Sequence, residues 1–433
     1  MNEGSDPVEL LRRLIRFDTT NPPGAERECV VFLEGILRDA GLETKVLALD
    51  DDRPNVVARL PGEGSAPPLL LQGHVDVVST AGQQWTHPPF EGTLAEGHVW
   101  GRGALDMKAG VAMMVSALLR RPRPAGDVVL AVVADEEAGG GCGARFLVER
   151  HPELFDGVRY ALGEFGGFTM DVAGRRFYPI QVAEKQVCWM RATVRGPGGH
   201  GSLPMRGGTM ARLAKLLRAL DRGRLPVHVT DVPRRMVEAI AAELPRPAAL
   251  PLRGLLEPRL ADGILRALGD AGRTFEPMLR NTVNATIVRG GDKVNVVPSE
   301  ATVDLDGRML PGRRAEDMLR EVRSLVGDDV DVEITLHDPE ARSEVDYGLF
   351  DLLGGVLRDR DPTGTPIPYL MPGITDGRLF ARLGIQTYGF LPMQLPKDLR
   401  FTELIHAADE RIPVDALEFG TAAIGDVLER YGR

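Results

Sequence analysis

Cysteine is nearly absent: Cys29, Cys142 and Cys188 are the only three in 433 residues, far apart and without a C-x-x-C pair. That excludes a disulfide framework and a thiolate zinc site, so any metal must be bound by histidine and carboxylate. No apolar run approaches the roughly 18 residues of a membrane span. Met1 to Pro7 holds acids and no base, so neither a secretory leader nor a transit peptide is expected, and the cytoplasm is the expected location. Bases are outnumbered, 52 against 62 acids. The resulting charge of -10 argues against nucleic acid or an anionic membrane as a partner. The chain also lacks G-x-x-x-x-G-K-[ST] and G-x-S-x-G, which argues against the P-loop nucleotide and serine-hydrolase readings.

What is present is a globular composition, 43% apolar and 26% charged, in a chain longer than one core usually holds, so two domains are expected. Helical spacing marks Leu10 to Ile15 and residues 25–40, and short apolar runs at 55–60, 69–71 and 127–134 read as buried strands, with a helix after Asp106. This alternation predicts an α/β domain, a sheet with helices on both faces. From Gln186 the texture changes to alternating strands (187–194, 282–288, 301–305) around helical stretches at 210–220 and 233–244, an inserted α+β domain. From about Pro311 helix and strand alternate again, at 315–326 and 330–336. The expected division is 1–186 with 309–433 for the first domain and 187–308 for the second. Arg121 to Pro124 reads as a loop.

The chemistry gathers at strand ends. Leu69 to Leu71 runs into Gly73-His74-Val75-Asp76, and a period of two puts His74 and Asp76 on one side, where the carboxylate can set the imidazole tautomer of a metal-bound histidine. Alone, the pair reads equally well as a strand end meeting solvent. Asp106, in Gly101-Arg102-Gly103-Ala104-Leu105-Asp106-Met107-Lys108, sits where a glycine turn meets a helix: an acid at a helix N-terminus, or a ligand. The strand 127–134 ends in Asp135-Glu136-Glu137, and active sites of open α/β sheets lie at that edge. Neighbours on an extended chain point apart, so Glu136 and Glu137 can divide metal binding from proton transfer. Three charges beside an apolar strand repel one another unless a cation is present, which favours a metal over a solvated acidic loop. Glu164 follows another short apolar run, and His406 lies in Leu404-Ile405-His406-Ala407-Ala408-Asp409-Glu410-Arg411-Ile412-Pro413. Two histidines, three carboxylates and a spare acid suit a pair of cations bridged by one acid, with Zn²⁺, Co²⁺ or Mn²⁺ matching the donor set.

This order and wording, from Thr19-Thr20-Asn21-Pro22-Pro23-Gly24 to His406–Ile412, closely resembles the co-catalytic di-zinc family of aminoacylases, carboxypeptidase G, carboxypeptidase S and succinyl-diaminopimelate desuccinylase. The resemblance implies a zinc-exopeptidase-like mixed sheet sandwiched by helices, with an inserted lid that doubles as a dimerisation domain. It implies that Asp106 bridges two metals, that His74 and Glu164 complete one site and Glu137 and His406 the other, with Glu136 as general base and Asp76 orienting His74. The implied reaction is hydrolysis of an amide by a water between the ions, on a small molecule with a free carboxylate, either an N-acyl amino acid or a small peptide. It further implies that His200, in Gly198-Gly199-His200-Gly201, stabilises an oxyanion from across a homodimer, and that Asn295 and Arg308 hold the substrate. Thr375, in Gly373-Ile374-Thr375-Asp376-Gly377, is a further contact by the same resemblance. Zinc is the expected metal, with cobalt and manganese as alternatives.

The sequence departs from the family in places. Ser79 stands where relatives commonly have proline, and residues 230–281 carry a longer helical segment similar to the branch around carboxypeptidase S and N-acyl amino-acid hydrolases, which is expected to shape the pocket. Glu at position 164 is typical of deacylases and carboxypeptidases and disfavours an aminopeptidase. His87, His98, His151, His228 and His337 lack comparable surroundings and are expected to be structural or exposed.

Overall fold

The computed structural model describes residues 3–120, 123–339 and 344–433; positions 121 and 122 of the expected Arg121–Pro124 loop lie outside them. The chain divides into two compact units. The first comprises residues up to Val182, Val345–Tyr369 and Thr375–Arg433, and the second Ala183–Glu344 with Leu370–Ile374.

The first unit is built on a mixed sheet. Its central strands, Leu69–His74 and Val128–Val133, are buried at every position. Near-continuous apolar strands of this kind need cover on both faces. One face receives Lys108–Leu119, whose residues 108–118 are buried on all sides, with Pro7–Ile15 and Val414–Arg430 packed against it. The other packs Val129, Ala131 and Val133 against Ala144, Leu147, Leu379 and Phe380. Val128–Val133, Leu69–His74, Tyr160–Gly163 and Gln386–Gly389 run parallel and adjacent, and Glu43–Leu47 and Asn55–Leu60 extend the sheet antiparallel. His74 pairs with Val133 in this register. The parallel strands therefore release His74, Asp135–Glu137 and Glu164 at one carboxyl edge. Gly73 belongs to the same construction: a Cβ there would meet Met107 Cε at 2.5 Å, so the methionine side chain packed on the strand next to Asp106 would have to move.

In the second unit four antiparallel strands follow the order Thr282–Arg289, Glu300–Met309, Gln186–Arg195, Asp331–Asp338. Helices Thr209–Arg222 and Ala315–Val326 complete its core, which joins Leu213 and Leu216 to Val194, Val303, Met318 and Val322. This corrects the expected boundary at 309. Asp331–Asp338 pairs with Gln186–Arg195, so the unit continues to Glu344. Its alternating Asp-Val-Glu-Ile-Thr-Leu-His-Asp pattern, half solvated, is that of an antiparallel edge strand and contrasts with the apolar Val128–Val133. The segment 230–281 forms four helices, Asp231–Glu243, Arg246–Gly254, Pro258–Ala267 and Asp270–Leu279.

Candidate metal centre

Two groups of donors assemble in the first unit, His74 with Asp106 and Glu164, and Asp106 with Glu137 and His406. Asp106 belongs to both and divides its oxygens between them. Its Oδ1 lies 3.2 Å from His74 Nε2 and its Oδ2 3.1 Å from His406 Nε2. His74 Nε2 also lies 3.4 Å from Glu164 Oε2, and His406 Nε2 3.2 Å from Glu137 Oε1.

These spacings discriminate between two readings. Charge-assisted N–H···O bonds run about 2.7–2.9 Å, and Arg102–Glu410 and Arg53–Asp135 in this protein measure 2.6 and 2.8 Å. The histidine–carboxylate distances are longer. Bonds of about 2.0–2.2 Å to a tetrahedral ion place neighbouring donors roughly 3.3–3.6 Å apart, close to what is observed. Imidazole nitrogen and carboxylate oxygen suit zinc, cobalt or manganese, so the residues fit a pair of divalent cations.

The histidine tautomer is set differently from the expectation. His74 ends its strand, so the alternation does not reach Asp76. The nearest acceptor to Nδ1 is the Asp76 carbonyl oxygen at 3.0 Å, with the carboxylate at 3.4 Å. Either contact places the proton on Nδ1 and leaves Nε2 free for a cation. The Asp76 carboxylate instead accepts the backbone N–H of Glu136 and of Glu137, both at 3.1 Å, and the Asn21 amide at 2.8 Å.

Glu136 and Glu137 are likewise not on extended chain. Asp135 is left-handed at φ 69° and Glu136–Ala138 forms a 3₁₀ turn. The two acids still separate: Glu137 meets His406, while Glu136 belongs to neither donor group. Sequence reasoning did not identify the supports of this turn. Asn21 Nδ2 donates to both Asp76 and Asp135, and Arg53 joins Asp135 to the buried Glu26. A polar Asn after Thr19-Thr20, in a segment that bridges to Val77, was the available signal.

Electrostatics follow from this crowding. Loss of water around Glu136, with the nearby Glu164 charge, pushes its carboxyl well above the ordinary range. Burial raises Glu164 to about 8. Asp106 is held below the usual carboxylate range, burial being outweighed by its bonds to His406 and His74. Those to Asp106 and Glu137 raise His406 to about 10. At pH 7 the metal-free chain therefore keeps protons that a cation must displace, so affinity is expected to rise with pH between 6 and 8 and binding to release protons. Calorimetry in two buffers of different ionisation enthalpy measures the release; a pH-independent affinity would contradict it.

The remaining expected residues are placed as follows. Thr375 is buried and its hydroxyl accepts the Gly377 N–H at 3.0 Å, a turn-forming contact in place of an open one. In the second unit, Gly199–His200 pairs with Val296–Val297, which brings exposed His200 beside Asn295, whose carbonyl accepts from Gly201. His200 Nδ1 lies 2.8 Å from Ser202 Oγ. Arg308 is ion-paired with Asp306 through Nε at 2.8 Å. The other five histidines engage local partners: His87 and His98 face the Trp100 ring, His151 the Phe146 ring, His228 pairs with Glu321 and His337 contacts Gln186.

Comparison with known proteins agrees with this architecture. The model of peptidase family M20/M25/M40 matches residues 70–430. A probable carboxypeptidase S-like protein of Dictyostelium discoideum is 28% identical over 371 residues, covering 81% of this chain and 69% of that protein. Succinyl-diaminopimelate desuccinylase of Paracoccus denitrificans is 28% identical over 440 residues, covering 98% of each. Among solved structures, an M20 family metallo-carboxypeptidase from Sulfolobus solfataricus superposes with a TM-score of 0.70 at 15% identity over 99% of both chains.

Proposed function

This chain belongs to peptidase family M20/M25/M40, and on that premise we propose that it is a two-cation hydrolase of an amide bond beside a free carboxylate, acting on N-acyl amino acids or small peptides. The observation that carries the reading is the division of the Asp106 carboxylate between His74 and His406, with Glu136 uncommitted beside it. His74, Asp106 and Glu164 would hold one cation and Asp106, Glu137 and His406 the other, zinc first, with cobalt or manganese as alternatives. Bound there, the pair would polarise the scissile carbonyl and acidify a water between them.

The chain's own groups do the rest. Glu136 takes the proton of the attacking water and hands it to the departing nitrogen as the C–N bond breaks, giving a carboxylate and an amine. Asp76 fixes the turn that aims Glu136 and, through its carbonyl, the ring of His74. His200, whose Nδ1 is engaged by Ser202, offers Nε2 to the developing oxyanion in the site of a second copy, and Asn295 and Arg308 hold the substrate's carboxylate or carbonyl. The second unit serves as lid and homodimerisation domain. Thr282–Arg289, one of its two edge strands, exposes Ile287 and Val288, which supports pairing with a second copy. No helix among the described residues is long and apolar enough to cross a membrane.

A chelator is expected to abolish hydrolysis of N-acyl amino acids and dipeptides, and added Zn²⁺ or Co²⁺ to restore it. Hydrolysis indifferent to chelation would overturn the reading. The panel also separates deacylase from carboxypeptidase or dipeptidase by which substrate has the higher kcat/KM.

A further inference from the structure

Two segments about 300 residues apart must converge to make the second donor group, the turn bearing Asp106 and the segment bearing His406. His406 is weakly anchored by its own surroundings. Its side chain is 48% exposed and its backbone is left-handed at φ 62°. What holds it lies behind the donors. Arg102 and Glu410 form an ion pair at 2.6 Å with side chains 1% and 0% exposed. Glu410 Oε1 accepts the backbone N–H of Leu105 at 2.7 Å and of Asp106 at 3.1 Å, and Oε2 that of Gly103 at 3.2 Å. Arg102 reaches the other way: Nη1 donates to the Ala407 carbonyl at 3.1 Å and Nη2 to the His406 carbonyl at 3.2 Å. Gln83 completes the arrangement, its Nε2 donating to the His406 carbonyl and its Oε1 accepting from Arg102 Nη2, both at 2.8 Å.

A buried charge pair persists where its geometry is good and hydrogen bonds satisfy the groups around it; both Nη groups of Arg102 and both oxygens of Glu410 are engaged, while Arg102 Nε is buried without a partner. Here the carboxylate grips the Asp106 turn and the guanidinium grips the His406 backbone. The planar fork of arginine satisfies four acceptors at fixed angles, which a lysine ammonium cannot.

We infer that Arg102 and Glu410, with Gln83, are positioning residues that set the affinity of the second cation site by fixing His406 against Asp106. The inference rests on the proposed two-cation reading. It makes a selective claim. Arg102→Lys leaves Glu410 on the Asp106 turn, so the His74–Asp106–Glu164 site keeps its affinity, while the site with His406 weakens about 10- to 100-fold, the usual effect of losing a group that orients a metal ligand.

The test is titration of the metal-depleted full chain with Zn²⁺ against a chromophoric chelator, with His74→Ala and His406→Ala assigning the two binding steps. The expected result for Arg102→Lys is an unchanged first step, a weakened second step, and recovery of kcat as Zn²⁺ is raised. Gln83→Ala, which removes a partly exposed side chain, is expected to shift the same step less. It decides the matter if circular dichroism shows that Arg102→Lys does not fold. An unchanged second step in the folded variants, or equal weakening of both steps, overturns the inference. Failure of the wild-type chain to bind two cations would instead refute the two-cation reading.

Discussion

Glu136→Ala is expected to retain both cations and lose turnover by about 10²- to 10⁴-fold, the contribution of a general acid–base group. Three observations separate it from the ligands. It lies in neither donor group, although adjacent Glu137 does. Its backbone N–H, and that of Glu137, is held by Asp76, so truncating the side chain does not release the turn. Its carboxyl is raised by burial and by Glu164, the direction that suits a group which both accepts and returns a proton. The sign of the pH dependence follows. The base must be unprotonated, so wild-type kcat/KM falls as pH drops through its pKa, and that acid limb disappears in the variant. Metal analysis and a pH–rate profile of both proteins check this. Loss of metal with activity, or a drop under tenfold, would remove Glu136 from the role.

Asp106→Ala carries the second large expectation: cation stoichiometry falling from two to near zero, with no measurable hydrolysis. A single carboxylate whose oxygens lie 3.2 and 3.1 Å from the two imidazoles cannot be lost from one site alone. His406→Ala removes a donor from one group and should leave about one cation per chain. Equilibrium dialysis followed by elemental analysis gives the graded series two, one and zero for Glu136→Ala, His406→Ala and Asp106→Ala. Equal loss in the last two would mean that Asp106 is not shared. The variant chain itself should stay folded, because the Asp106 turn is held through backbone N–H groups by Glu410 and not through its own side chain.

Both expectations were legible in part from local sequence. Apolar runs ending in His74, in Asp135-Glu136-Glu137 and before Glu164 announce buried strands whose polar residues emerge at one edge, because a parallel strand covered on both faces is apolar until it leaves the sheet. That reasoning marks Glu164 only as a further strand-end acid, and its place in a ligand set comes from the resemblance. Asp106 and His406 required the resemblance, since an acid before a helix and a histidine in a loop have many ordinary uses.

The sequence by itself determined the donor chemistry, the strands that deliver most of it and the α/β class, because residue type and hydrophobic period are local properties. Tertiary structure decided what depends on pairing at a distance. The pairing of Asp331–Asp338 with Gln186–Arg195 extends the second unit past residue 309 to Glu344. The Asp76 carboxylate supports the acidic turn and leaves the nearest contact with His74 to its carbonyl, because the strand has already ended. Glu410 holds the turn of Asp106 and Arg102 the backbone of His406 across some 300 residues. A hydrogen bond or ion pair between segments so far apart leaves no periodicity in either, and its partners emerge only when the chain is folded.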